Sequence, residues 1–161
     1  MSLENSDAPD FTLDSTGGES VTLADTLEEG PTVVLVNRGH WCSFCAEQLG
    51  TFSEVSYDLW FNDDVDILPV VTDPLWRVTE MRDRYDLDIQ LLADPEGDVA
   101  EQYSGTEQTS HGLTGVAAVY VIDSEGTVQY EQVADHPGDR IHGNFVRYFI
   151  RGGFEDPFGD A

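Results

Sequence analysis

The sequence predicts an α/β domain in which a mixed central sheet carries helices on both faces and an N-terminal β-hairpin extends it. Three observations lead there. Short β-branched apolar runs alternate with helical stripes from Thr32 to Tyr103. Two adjacent strand-like runs and a last amphipathic stretch follow, an order that closes a mixed sheet between two helical layers. A chain of 161 residues with 40% hydrophobic content also has the size of one domain with a real core.

The elements can be justified in order. Residues 10–23, "DFTLDSTGGESVTL", read as two short strands around a Gly-Gly turn. Thr32 to Asn37, "TVVLVN", is apolar and β-branched, as in a strand buried on both faces. From Cys45 the apolar positions Leu49, Phe52, Val55 and Leu59 fall on one helical stripe, with Glu47, Glu54 and Asp58 off it. Residues 65–71 form the next strand. Thr72-Asp73-Pro74 opens a helix that runs to about Tyr85, with a cap residue and a proline near the first turn. Ile89 to Leu92 is a short apolar strand, and Asp94-Pro95-Glu96 opens a short helix towards Tyr103. Residues 104–115, "SGTEQTSHGLTG", are polar and glycine-rich and read as a loop. Residues 116–122 and 127–133 flank "DSEG", a hairpin signal. Asp139 to Ile150 carries Ile141, Phe145 and Phe149 at helical spacing. The domain core is expected over residues 8–150, with residues 151–161 as a loose tail to a single 1–161 domain.

Charge sets the protein apart. Acidic residues number 32 against 7 basic ones, for a net charge of −25, and every basic residue is Arg. Such self-repulsion opposes compactness in dilute buffer. Disorder is excluded by the regular apolar patterning. Around 1 M salt the Debye length falls to about 3 Å, so the composition suits a cytosol of extreme salinity, as in haloarchaea. It argues against nucleic acid or anionic membranes as partners. The N-terminal "MSLENSDAPDF" shows no signal-peptide pattern, and no apolar run is long enough to span a bilayer. A soluble cytoplasmic protein is expected.

Only two cysteines occur, in "NRGHWCSFC", where strand gives way to helix. Paired cysteines in a reducing cytosol are more often catalytic or metal-binding than structural. A helix start offers unpaired N–H groups and the positive end of the macrodipole to a thiolate, the form that attacks a peroxide or disulfide. Side chains three apart share a helix face with Cβ atoms roughly 5–6 Å apart, so Cys42 and Cys45 suit a reversible dithiol/disulfide couple. A metal site needs about four ligands, and His40, His111, His136 and His142 are scattered, so no metal is expected. Two inert core cysteines and a purely structural disulfide are the other readings. The first is disfavoured by the placement beside Trp41 at a helix start, the second by the little entropy gained from so small a loop. Cys42, earlier and nearer solvent, is the expected nucleophile, and Cys45, on the apolar stripe, the resolving partner.

The chain resembles the peroxiredoxin-like redoxins of the alkyl hydroperoxide reductase/thiol-specific antioxidant family, in the thioredoxin-fold superfamily. "APDFTL" with "VTLAD" is similar to the family opening. "NRGHWCSFCAEQL" resembles the Trp-Cys-x-x-Cys of thioredoxin-like members and the "RGxWCPFC" of peroxiredoxin-like ones, and "LLADPEGDVAEQY" and "VYVIDSEGTVQY" resemble two later signatures. The resemblance covers Ala8 to about Val133. It implies a thioredoxin-like fold, thiol-dependent reduction of hydroperoxides or disulfides, a thioredoxin-like or low-molecular-weight thiol as electron donor, and no bound cofactor. In family alignment Cys45 takes the peroxidatic position, the reverse of the order above. Arg38 then stands at the family's proline, Cys42 at its threonine and Ala117 at its later arginine. Ala117 also falls near the position of the thioredoxin cis-proline.

Around the dithiol, Arg38 is the only adjacent cation, a candidate to lower the thiol pKa and hold a peroxide oxygen, with pairing to one of the many acidic neighbours as the alternative. His40 is a candidate proton carrier, and Trp41 a shield and flat contact surface. The resemblance implies that the loop bearing His111 approaches the dithiol. Arg140, Arg147 and Arg151 are expected along one face of the terminal helix, complementing its C-terminus and acidic neighbours. The leading function is a thiol peroxidase cycling through a Cys42–Cys45 disulfide, as monomer or homodimer. A general thiol–disulfide oxidoreductase and a non-catalytic redox-sensing module are the alternatives.

Overall fold

The computed structural model describes residues 2–155. The strands β1 (Thr12–Ser15) and β2 (Ser20–Thr22) form the expected N-terminal hairpin. A short helix, α1 (Leu23–Glu29), follows and was not expected: only Leu23 of it is buried, so no apolar stripe announces it. The strand β3 (Thr32–Asn37) has the predicted bounds and is buried at every position. The long helix α2 (Ser43–Asp63) leads to β4 (Asp66–Val71), α3 (Leu75–Arg84), β5 (Leu92–Ala93) and α4 (Asp98–Tyr103).

Residues 104–115 are not a simple loop. They contain a two-stranded sheet of their own, β6 (Thr106–Thr109) paired with β7 (Gly112–Gly115). Most of its residues are exposed or half-buried, so it lacks the apolar alternation that marks a strand in sequence. The strands β8 (Ala118–Ile122) and β9 (Val128–Val133) form the predicted hairpin. The last helix, α5 (Gly143–Arg151), starts later than the expected Asp139. Residues 134–142 instead run as an irregular strap between β9 and α5. The side-chain amide of Gln48 donates to the Ile141 carbonyl at 3.1 Å, which holds the chain extended there. His142 then caps the helix by accepting from the Asn144 N–H at 3.0 Å.

Seven strands make one mixed sheet in the order β2-β1-β5-β4-β3-β8-β9. The centre is parallel, with β3 beside β4 and β4 beside β5, while β8 lies antiparallel to β3. The N-terminal hairpin is part of this sheet, because β1 pairs antiparallel with β5. Successive side chains of a strand point to opposite faces, and β3 divides accordingly. Val33 and Leu35 face a core filled by Leu49, Phe52 and Leu59 of α2, Val78 and Met81 of α3, and Val146 and Phe149 of α5. Val34 and Val36 face a second core with Leu23 of α1 and Val99, Ala100 and Tyr103 of α4. Helices therefore cover both faces, as predicted. Of the expected tail, Phe154 packs against Phe149 with ring centroids 6.0 Å apart, and residues 156–161 lie outside the described ones. Among the described residues no helix is long and apolar enough to cross a membrane.

Candidate active site: a dithiol at a helix N-terminus

The parallel strand β3 ends at Asn37, whose buried amide donates to the Val70 carbonyl at 3.1 Å and ties the strand end to β4. Five residues later the chain enters α2. Cys42 is the N-cap of that helix, in extended conformation, and its sulfur accepts the Cys45 backbone N–H at 3.3 Å. A serine or aspartate at an N-cap makes the same bond to the third helical residue. Here the acceptor is a thiol, so the bond that starts the helix also stabilises a sulfur anion. Cys45 occupies that third position, and its sulfur accepts the Arg38 backbone N–H at 3.4 Å. Both cysteines are free and both are buried, with 3% and 1% of their surface exposed. Cys42, expected nearer solvent, is itself buried, and burial and electrostatics together separate the two thiols.

That difference is large. The Cys45 thiol, bonded to the Cys42 sulfur, holds the Cys42 thiol down to about 5 from its ordinary 9.0, against the effect of burial, with further help from the Cys45 N–H and from Arg140. Cys45 moves the opposite way, raised by donating to Cys42, by burial and by the neighbouring anion. One thiolate and one retained thiol is the stable state of the pair.

The cation that acts on the sulfurs is Arg140, not Arg38. Arg140 Nη2 lies 3.4 Å from Cys45 Sγ and 3.7 Å from Cys42 Sγ. It belongs to the strap, so it leaves the row of helical arginines in which it was expected. Arg147 and Arg151 keep the expected role, pairing with Asp58 and Asp63 of α2 at 2.9–3.0 Å. The Arg38 side chain goes elsewhere: its guanidinium carbon lies 4.8 Å from the Trp41 ring centroid. Trp41 also stacks on His111, 3.7 Å between centroids and 10° between planes. The β6–β7 hairpin thus reaches the dithiol region through Trp41. His40 turns away to Asp73, whose Oδ2 accepts both the His40 backbone N–H at 2.7 Å and lies 2.9 Å from Nδ1. Asp73, read in sequence as a helix start, therefore anchors the loop that carries the dithiol. A Cβ at Gly39 would lie 2.5 Å from Trp41 Nε1, so a larger residue there must displace the Trp41 ring.

Ala117 is buried and lines a cavity of about 200 Å³ together with Arg38, Val116, Ala134, Pro137 and Arg140. Ala117, which the resemblance aligns with the family's later arginine, and Arg140 border one space. Arg140 escaped the sequence reading because it lies 98 residues from Cys42 and no local pattern marks it. The signal in the sequence is indirect: the resemblance aligns Ala117 with the family's later arginine, and the chain has few cations to take its place. Among the described residues, no group of three or more His, Cys, Asp or Glu side chains is placed to hold a metal ion.

The AhpC/TSA family model matches residues 5–131. None of the curated proteins compared matches the chain. Among solved structures, the peroxidoxin BcpB of Mycobacterium tuberculosis is similar, with 20% identity, TM-score 0.82, and coverage of 94% of this chain and 98% of that one. AhpC of Enterococcus faecalis aligns at 20% identity and TM-score 0.80, over 96% and 94%. A solution structure titled a putative protein disulfide isomerase, from Bacteroides thetaiotaomicron, aligns at 22% identity and TM-score 0.67, over 95% and 92%. At these identities the likeness establishes the shared thioredoxin-like fold.

Proposed function

Because the chain belongs to the AhpC/TSA family, we propose that it is a thiol peroxidase that reduces hydroperoxides through a Cys42–Cys45 disulfide. The observation that carries the reading is the Arg140 guanidinium within 3.7 Å of both sulfurs, beside a Cys42 thiol that already caps a helix. Only the thiolate attacks, and these groups favour it.

The Cys42 thiolate attacks one peroxide oxygen and the O–O bond breaks. The leaving oxygen takes a proton from solvent and departs as alcohol or water, and Cys42 is left as the sulfenic acid. The Cys45 thiol then attacks the Cys42 sulfur, forms the disulfide and releases water. Two electrons pass from the dithiol to the peroxide. Arg140 stabilises the anion at rest and the negative charge that develops on the leaving oxygen. Trp41, stacked on His111, shields the site, and His40 with Asp73 fixes the loop. A thioredoxin-like or low-molecular-weight thiol returns the disulfide to the dithiol, in a high-salt cytosol.

Reduction of disulfide substrates is the competing reading. The near-complete burial of both thiols favours a small oxidant over a protein disulfide. Coupled peroxide consumption compared with insulin reduction, both in molar salt, decides between them. The proposal expects the first to exceed the second by orders of magnitude, and the reverse ranking overturns it.

A further inference from the structure

Aromatic rings near the surface of this protein tend to carry an arginine. The Arg77 guanidinium carbon lies 4.3 Å from the Trp76 ring centroid, that of Arg38 lies 4.8 Å from Trp41, and those of Arg84 and Arg147 lie 5.6 Å from Tyr85 and Tyr148. One group of rings departs from this habit. Tyr57, Trp60 and Phe61, in the second half of α2, are 69%, 57% and 65% exposed. Tyr57 stacks on Phe61 with centroids 5.7 Å apart and lies 6.1 Å from Trp60, tilted by 45°. Among the described residues no arginine lies over any of the three. Trp60 and Asp66 together line two cavities, of about 510 Å³ and 260 Å³. Glu54 and Asp88 border the first, and Glu29 and Asp64 the second. No arginine lines either one: Arg82 donates from Nε to the carbonyl of Ile89, a lining residue, at 3.1 Å but is not itself in the lining. The Asp66 carboxylate is half-buried and forms no hydrogen bond or ion pair among the described residues. The helix adds to the imbalance. It has no basic residue in its last turn, where the negative end of the macrodipole favours a cation, and Arg151 is taken up there by Asp58 and Asp63.

We infer that this aromatic face of α2 is a docking surface for a basic segment of another protein, whose arginine side chains lie on Trp60 and Tyr57 and pair with Asp66 and the carboxylates beside it. A guanidinium is planar, stacks on aromatic faces and pairs with carboxylates through the same fork, so one residue type meets both halves of the surface. Charge complementarity selects the occupant. A second copy of this chain would bring matching rings but also matching carboxylates, and like charges held together away from water are little screened by salt. Three adjacent rings bordering two cavities make a surface broad enough for a polypeptide. Long-range attraction to a chain of net charge −25 is damped in molar salt, so contact with the rings, more than net charge, picks out this site from the rest of the acidic surface. From Cys45 to Trp60 the helix rises about 22 Å. The surface therefore stands apart from the dithiol, and the inference does not depend on the chemistry proposed there.

The test titrates a blocked peptide of alternating arginine and leucine into the full-length, isotope-labelled protein in molar KCl and follows backbone amide shifts. A second peptide with citrulline in place of arginine keeps the shape and removes the charge. The arginine peptide is expected to bind roughly tenfold or more tightly than the citrulline one, with its shifts concentrated in residues 53–67 and 88–90. Trp60→Ala and Asp66→Asn are each expected to weaken it roughly tenfold while the rate of oxidation by peroxide stays at the wild-type value. Trp60 is largely exposed, so its variant keeps the fold, and amide spectra unchanged away from the site verify this for both variants; either one alone suffices for the comparison. No binding of the arginine peptide, equal affinity for the two peptides, or shifts spread over the acidic surface at large overturns the inference. Sedimentation of the protein by itself covers the other occupant: a dimer that Trp60→Ala dissociates gives the face to a second copy and overturns the assignment to a basic partner.

Discussion

At the residue scale the site is a matter of which sulfur carries charge. The Cys42 thiol is lowered to about 5 and the Cys45 thiol raised, so iodoacetamide labelling of the reduced protein is expected to modify Cys42 alone, with a pH midpoint near 5. The same shift acts on stability. A thiol that ionises more easily in the folded than in the unfolded state stabilises the fold at high pH. Its contribution is complete above about 9, the ordinary value, and lost as pH falls towards 5. The reduced protein is therefore expected to melt at rising temperature from pH 5 to 9, and Cys42→Ser to lose that part of the slope. Arg140→Met is expected to raise the labelling midpoint and to slow oxidation by peroxide roughly 10²-fold, the typical loss for one preorganised donor. An unchanged rate in a folded variant removes Arg140 from the chemistry.

At the scale of elements, α2 and its junctions hold the site in place. The close approach of α5 to α2 depends on Gly143, where a Cβ would lie 2.7 Å from the Thr51 carbonyl oxygen. The Gly143 N–H also donates to Thr51 Oγ1 at 2.9 Å. Gly143→Ala must push backbone from backbone, so denaturant melts are expected to show a loss of about 1–3 kcal/mol. Asp73→Ala removes the acceptor that pins His40. It is expected to slow disulfide formation severalfold in rapid-quench assays while leaving the labelling midpoint of Cys42 in place. These junctions also mark where sequence was informative. The strand β3, the stripe of α2 and the dithiol between them were legible because burial patterns and spacing are local. The helix α1 was hidden because only Leu23 of it is fully buried, with Leu27 half-buried beside it, and the β6–β7 hairpin because its exposed faces show no alternation. Residues 139–142 of the strap read in sequence as the first turn of α5 because Ile141, Phe145 and Phe149 keep helical spacing. A hydrogen bond from Gln48, 93 residues away, overrides that spacing, and no sequence pattern encodes it.

At the scale of the whole molecule, charge governs. The net charge of −25 is met by few cations, and three of those are committed within the fold: Arg147 and Arg151 fasten α5 to α2, and Arg140 faces the sulfurs. The surface carboxylates are left to repel one another, and salt must screen them. Melting temperature is expected to rise steeply between dilute buffer and molar KCl, and a flat profile would remove the high-salt reading. The overall fold was legible at this scale because alternating strands and helices admit few arrangements. Recruitment of an arginine from beyond β9 to the thiols was not, since it depends on how the strap folds back over α2.

The central claim is that Cys42 is oxidised first and Cys45 captures it. Single-turnover oxidation of the reduced Cys42→Ser and Cys45→Ser variants by hydrogen peroxide, with a sulfenate-trapping reagent and mass spectrometry, tests this most directly. The account predicts a persistent sulfenate on Cys42 in Cys45→Ser, formed at nearly the wild-type rate, and almost no reaction in Cys42→Ser. A sulfenate that forms on Cys45 at the wild-type rate in Cys42→Ser, with Cys45→Ser inert, would contradict it.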